Sequence, residues 1–313
     1  MPRQFLEIVS PHGRAPFAKG SGRLELAQAI ASRENPLTAR VLVNRVWLHH
    51  FGAGLVRTPS DFGLRSDPPS HPELLDYLAT RFMDEGWSLK KLHRLILLSG
   101  TYQQSSEENP RAAQLDPGNQ LLGRMNRRRL SFEAMRDSLL AVAGKLDRTA
   151  GGHPVEIIAP AFTPRRTIYG FVERQNLPGL FRTFDFASPD ATSPQRFATT
   201  VPQQALFMMN SPFVADLARN FVARPEFQAR AAAEKKVEWL YRVAFQRSPA
   251  KDEIKLAKEF LAANSDVAGQ SASPPEPAAQ PKTSDAKDRP KPLGAWEKFA
   301  QVLLMSNELV FVD

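Results

Sequence analysis

Apolar positions recur at helical spacing over most of the chain, in segments separated by Gly, Pro and Asn-Pro breaks. Residues 1–21, with Pro2, Pro11, Gly13, Pro16 and Gly20, read as an irregular lead-in. Ser21 suits the cap of a helix carrying Leu24, Leu26, Ala27 and Ile30, which Asn35-Pro36 ends because the residue before proline disfavours the α region. Pro36 fits the first turn of a second helix, on which Leu37, Val41, Trp47, Leu48 and Phe51 share a broad face and Gly52 is placed as the stop. A Gly/Pro/Ser/Asp loop follows. Ser70 then suits an N-cap, Leu74, Leu75, Leu78 and Phe82 make an apolar stripe, and Gly86 stops it. Ser88 opens another helix with Leu89, Leu92, Leu95, Ile96 and Leu98 on its apolar side, and Leu130 to Ala143 form one more before Gly144.

From about Arg148 to Ser193 the helical pattern weakens, and β-branched and aromatic residues at Val155–Ile158 and Thr167–Val172 predict short strands. Helical patterning returns at Val201–Met209, Pro212–Val222, Ala229–Phe245 and Pro249–Ala262, the last capped by Ser248. Residues 264–292 are rich in Pro, Ala, Ser, Lys and Asp and lack aromatics, so they predict a disordered Pro/Ala-rich linker. Trp296 to Val312 resumes the amphipathic pattern. The expected architecture is mainly α: a multi-helix domain over 22–263, the linker, and a C-terminal helix in 293–313 packing back on that domain. At most a small two-stranded β element is expected.

Composition narrows the chemistry. No run of about 18 apolar residues supplies a membrane span. The first residues lack the apolar segment of a secretory signal, so either the protein stays in the cytoplasm or an export segment lies upstream. Cysteine is absent, which removes disulfides, thiolate metal sites, iron–sulfur clusters, a cysteine nucleophile and covalent c-type haem attachment. The formal charge of +8 favours anionic partners.

The six histidines, His12, His49, His50, His71, His93 and His153, form no metal-binding spacing, so no metal is expected. No nucleophile elbow, phosphate loop or dinucleotide fingerprint is present, and no reaction is singled out. Asp61, Asp76, Glu133, Asp137 and Asp185 are the acids best placed for burial, where helix capping or arginine pairing is the ordinary role. Arg124, Arg127, Arg128, Arg129 and Arg136 cluster before and within one helix, interleaved with Glu133 and Asp137. That interleaving favours an Arg–carboxylate network between helices over nucleic-acid contact. A second polar set, Thr199, Thr200, Gln203, Gln204 and Asn210, sits among apolar residues. In 44–71, a helix end and a Gly/Pro/Asp loop, Asn44, Arg45, Arg57, Asp61 and His71 are flanked by large apolar residues. They are expected to form a partly buried polar cluster in which Arg45 or Arg57 pairs with Asp61, approached by Arg128, Arg129 or Asp137.

Several ordered motifs carry a family resemblance. Asn35-Pro-Leu-Thr-Ala-Arg-Val41, Asn44-Arg45-x-Trp47, Phe51-Gly-x-Gly-Leu-Val56, Thr58-Pro-x-Asp-Phe-Gly63 and His71-Pro-Glu-Leu-Leu-Asp76 come first. Thr101-Tyr102, Arg128-Arg129-Leu130, Arg136-Asp137, Thr199-Thr200-Val201-Pro-Gln203-Gln-Ala-Leu206 and Ser306-Asn307-Glu308 follow. From about Gly22 onward the chain resembles the planctomycete-specific C-terminal domain of unknown function. Tyr77 and Gln103 depart from the tryptophan and arginine common there, and Leu309 and Phe311 from phenylalanine and tyrosine. The resemblance implies export to the periplasm or beyond, and an upstream domain of unknown function with a cytochrome c-like domain, whose haem would lie outside this chain. It supplies no catalytic residue. The first functional reading is therefore a non-catalytic binding or scaffolding module of an exported multidomain protein, with another protein or a glycan as further partner. The alternative is a component of an oxidative or polymer-degrading enzyme. Nucleic-acid binding through the arginine cluster ranks last.

Overall fold

The structure, a computed structural model, describes residues 2–10, 13, 15–159, 162–265 and 292–312. Its contacts divide the chain into two compact units, Met1–Arg128 and Arg129–Val312, where the sequence pattern reads residues 22–263 as one domain.

Unit 1 holds α1 (Arg23–Ile30), α2 (Thr38–Phe51), α3 (Pro72–Asp84), α4 (Leu89–Leu97) and α5 (Pro110–Leu115). Its core joins Val43, Trp47 and Phe51 of α2 to Leu75, Leu78 and Phe82 of α3. Each of these large side chains contributes about 1.5–3 kcal/mol by leaving water. Gly52 ends α2 as expected: its φ of +82° is left-handed, and its N–H donates to Leu48 O. Ser88 caps α4 by accepting from Lys91 N. Two expected caps are not used. Ser70 gives way at the α3 N-cap to His71, which makes no side-chain cap bond, and Gly22 rather than Ser21 precedes α1. The apolar positions of α1 also depart from expectation, because none of its residues is buried.

Unit 2 contains α6 (Phe132–Val142), α7 (Gly179–Thr183), α8 (Pro202–Asn210), α9 (Pro212–Ala223), α10 (Pro225–Gln228), α11 (Ala233–Phe245), α12 (Lys251–Ser265), α13 (Ala295–Leu304) and α14 (Asn307–Val310). Ser131 caps α6, and Ser211 both closes α8 and caps α9. Pro202, Pro212 and Pro225 open their helices where a missing N–H costs nothing. Helix α9 runs through the core with Val214, Ala218 and Phe221 fully buried, and α13 packs along it through Phe299, Ala300, Leu303 and Leu304.

The strands expected at 155–158 and 167–172 do not form. The segments meet at one bridge, where Val155 N donates to Tyr169 O and Phe171 N to Val155 O. Thr167–Tyr169 instead coils into a 3-10 turn, because both the N–H and the hydroxyl of Thr167 bond Asp137. The two-stranded sheet among the described residues lies elsewhere, between β1 (Arg128–Arg129) and β2 (Phe311–Val312). Ser306 interrupts the helix expected over 296–312: it caps the short α14, after which the chain extends into β2. Helix α12 starts at Lys251, two residues after Pro249, and runs to Ser265, so residue 264 is helical rather than linker. The rest of the expected linker, from 266 to 291, lies outside the described residues. No helix among the described residues is long and apolar enough to cross a membrane.

Candidate functional site

The polar residues of segment 44–71 are satisfied by nearby backbone. Asn44, fully buried on α2, donates through Nδ2 to Val56 O at 3.0 Å and accepts from Val56 N at 2.9 Å. This pair of bonds holds the loop after α2 against that helix. Only glycine fits at position 54, since a Cβ there would stand 2.5 Å from Val56 O and 2.8 Å from the Asn44 amide.

The expected Asp61 ion pair is not made. Asp61 Oδ1 accepts from Gly63 N at 2.8 Å, and Thr58 Oγ1 donates to Asp61 O at 2.8 Å. Arg45 and Arg57 are both exposed and pair with no acid among the described residues. An amide two residues along the same turn satisfies the aspartate at less ordering cost than a long exposed arginine. The Arg57 charge instead lies within electrostatic reach of Asp116, which two backbone N–H bonds, from Leu121 and Gln120, hold below the ordinary carboxylate range. The His71 ring bonds its neighbour, Nδ1 to Ser70 Oγ at 3.0 Å, and reaches none of the other candidate residues.

Arg128 closes the C-terminal end of α2, its Nη1 donating to His49 O at 2.6 Å beside Asn126 Nδ2 on Phe51 O. A cation on these last carbonyls complements the helix dipole. Next to it His50 Nε2 and His93 Nδ1 stand 2.8 Å apart, with the Tyr102 ring edge-on to His50. Burial, then the neighbouring His93 and Arg128, lowers the His50 pKa. No sequence spacing announced this pair, because α2 and α4 must pack before it exists.

In unit 2 the two polar sets singled out in the sequence meet. Arg129 Nη2 donates to Asp185 Oδ2 at 2.6 Å, with the two side chains 8% and 14% exposed. Thr199 donates its N–H and hydroxyl to the same carboxylate, and the Arg129 guanidinium lies 5.7 Å from the Phe184 ring centroid. Asp185 sits at φ +58°, a left-handed conformation that aspartate tolerates better than most residues. Arg196 pairs with Glu133 through two bonds of 2.7 and 2.9 Å and lies over the Phe186 ring. The loop carrying Arg196 and Thr199 is thus strapped to α6 and to Asp185. Gln204 ties α8 to Thr183 O.

Arg136, 2% exposed, donates to Arg165 O, Thr163 O and Thr167 Oγ1. Asp137 lies beside it but accepts from Thr167 and approaches Arg166 Nε at 3.5 Å. Of the expected cluster, then, Arg129 and Asp137 belong to unit 2 and the other six residues to unit 1. The sequence marks Asp185 as an acid suited to burial and arginine pairing, and Arg129 proves to be the arginine. Arg127, Arg128, Arg129 and Arg136 each make an internal hydrogen bond, the first to Ser106 Oγ. Among the described residues no group of three His, Asp or Glu is arranged to hold a metal.

Apolar surface is the other feature. On α1, Leu24, Leu26 and Ile30 are 68%, 40% and 45% exposed, and Leu6 and Ile8 in the N-terminal lead-in are 65% and 86% exposed.

These features define a mainly helical, two-unit protein whose polar clusters brace loops and whose N-terminal region carries exposed apolar side chains. The chain belongs to the PSD1 family, a protein of unknown function (DUF1553), which matches residues 22–261. No curated protein and no solved structure matches it.

Proposed function

We propose that the chain is a non-catalytic binding and scaffolding module, of planctomycete type, within an exported multidomain protein that also carries cytochrome c-like domains. The observation that supports this reading is α1, a helix of 8 residues that buries none of them and exposes three large aliphatic side chains. Isolated exposed apolar residues are ordinary, whereas Leu26 and Ile30, one turn apart on the same face of α1, offer adjoining apolar area for a partner to cover. The proposed occupant is the adjoining upstream region with its cytochrome c-like domain, which would carry the haem. An acidic face on that partner would complement the chain's +8 charge.

The test is a calorimetric titration of the purified chain with the cytochrome c-like domain encoded nearest to it. Binding should weaken at least about tenfold in Leu24→Glu/Ile30→Glu. Absence of binding to the unaltered chain, or equal binding by the double variant, would refute the reading. Because α1 contributes nothing to the core, the double variant should keep its helical circular dichroism.

A further inference from the structure

The core of unit 2 encloses a cavity of about 210 Å³. Four phenylalanine rings, Phe132, Phe162, Phe207 and Phe213, line it with Leu139, and Arg136 forms part of the wall. For scale, a cavity of about 150 Å³ in another protein admits benzene. This one therefore takes a single aromatic ring with a short substituent. Leu139 and Phe132 at its base are buried, whereas Phe162, Phe207 and Leu180 are only partly buried and form the side nearest solvent.

The chemistry of the wall selects the substituent. Arg136 donates through Nη1 to Arg165 O at 3.0 Å and Thr167 Oγ1 at 3.2 Å, and through Nη2 to Thr163 O at 2.7 Å. All three acceptors are uncharged. The neighbouring carboxylate, Asp137, is occupied by Thr167 N and Oγ1, both at 2.7 Å, and by Arg166. No carboxylate makes direct contact with Arg136 among the described residues, although its guanidinium lies within the apolar core, 5.1 Å from the Phe213 ring centroid. The Asp137 charge acts on Arg136 from nearby but its oxygens are bonded elsewhere, so a buried guanidinium that hydrogen-bonds only neutral oxygens still favours an anion over a neutral group of the same shape.

We propose that this cavity is a binding site for a small aromatic carboxylate, with its ring among the phenylalanines and its carboxylate directed toward Arg136. The site lies wholly in unit 2 and does not rest on the docking role of α1.

The test compares trans-cinnamate with cinnamyl alcohol, which keeps the ring and chain but lacks the charge, by calorimetric titration of the purified full chain. Cinnamate should bind saturably and at least about tenfold more tightly than the alcohol, the factor expected for one charge-assisted hydrogen bond. Leu180→Trp, which fills the cavity from its solvent side, should weaken cinnamate binding by about tenfold or more. Should that variant fail to fold, methyl-labelled wild-type protein provides the independent check. Ring protons of bound cinnamate should show nuclear Overhauser effects to the Leu139 and Leu180 methyl groups. No saturable binding up to about 10 mM, equal affinity for the alcohol, a folded Leu180→Trp that binds normally, or contacts confined to methyl groups outside the cavity lining would each overturn the assignment.

Discussion

Segment 44–71 and the Arg129–Asp185–Thr199 network both place polar side chains among large apolar ones, yet they satisfy them in opposite ways. In the first, Asn44 serves Val56 twelve positions away and Asp61 serves Gly63 two positions away, both through backbone groups. In the second, side chains reach 56 positions from Arg129 to Asp185 and 63 from Glu133 to Arg196. Local backbone partners stiffen one loop, whereas long-range side-chain partners decide which distant segments are neighbours. The energetic consequence differs too, because a buried guanidinium left alone cannot be rescued by a nearby amide.

The sharpest way to test this contrast is Asp185→Ala. It leaves Arg129 buried and unpaired and removes both Thr199 anchors, so urea unfolding should show a loss of about 3–5 kcal/mol. Asp185→Asn tolerates the left-handed backbone and keeps an acceptor, so it should lose less. A milder but still large effect is expected from Asn44→Ala, which strands the N–H and C=O of Val56 inside unit 1. Hydrogen exchange in α2 should then report at least about 2 kcal/mol of destabilisation, from two buried groups at about 1–3 each. The smallest effect belongs to Asp61→Ala, which loses one partly exposed turn bond and should cost only about 0.5–1.5 kcal/mol in thermal unfolding. If Asp61→Ala cost as much as Asp185→Ala, the contrast between local and long-range satisfaction would collapse.

These two regions also show what a one-dimensional reading can reach. Periodicity located the core face of α3 and the Trp47–Phe51 end of α2, while missing the fully buried Val43, and Gly52 and Ser88 marked helix ends correctly, because those signals act within a few residues. The mainly helical class followed from the same periodicity, and the family from ordered motifs that match residues 22–261. The pairing of Asp61 was misjudged since charge alone suggests an arginine, while the turn geometry supplies an amide first. The sequence places Asp185 among the acids suited to burial and arginine pairing but does not name its partners, because Arg129 and Thr199 converge on it from both directions along the chain. Likewise β-branched residues at 167–172 suggested a strand, but the Asp137 carboxylate draws Thr167 into a tight turn. For Asp185 and Thr167 the deciding partner is remote in sequence, whereas for Asp61 it is a backbone amide two residues away.

The packing of α13 against α9 sets an order of events during synthesis. Val214, Leu217 and Phe221 of α9 share their buried cluster with Phe299, Ala300, Leu303 and Leu304. About seventy residues separate the end of α9 from the start of α13, roughly 4–14 s of elongation at ordinary ribosomal rates. For that interval unit 2 has its central helix but not the helix that covers it, whereas unit 1 already has all its core helices. Newly made unit 2 is therefore the part of the chain with the longest need of a chaperone, and a pause in translation between α9 and α13 would lengthen that need in direct proportion.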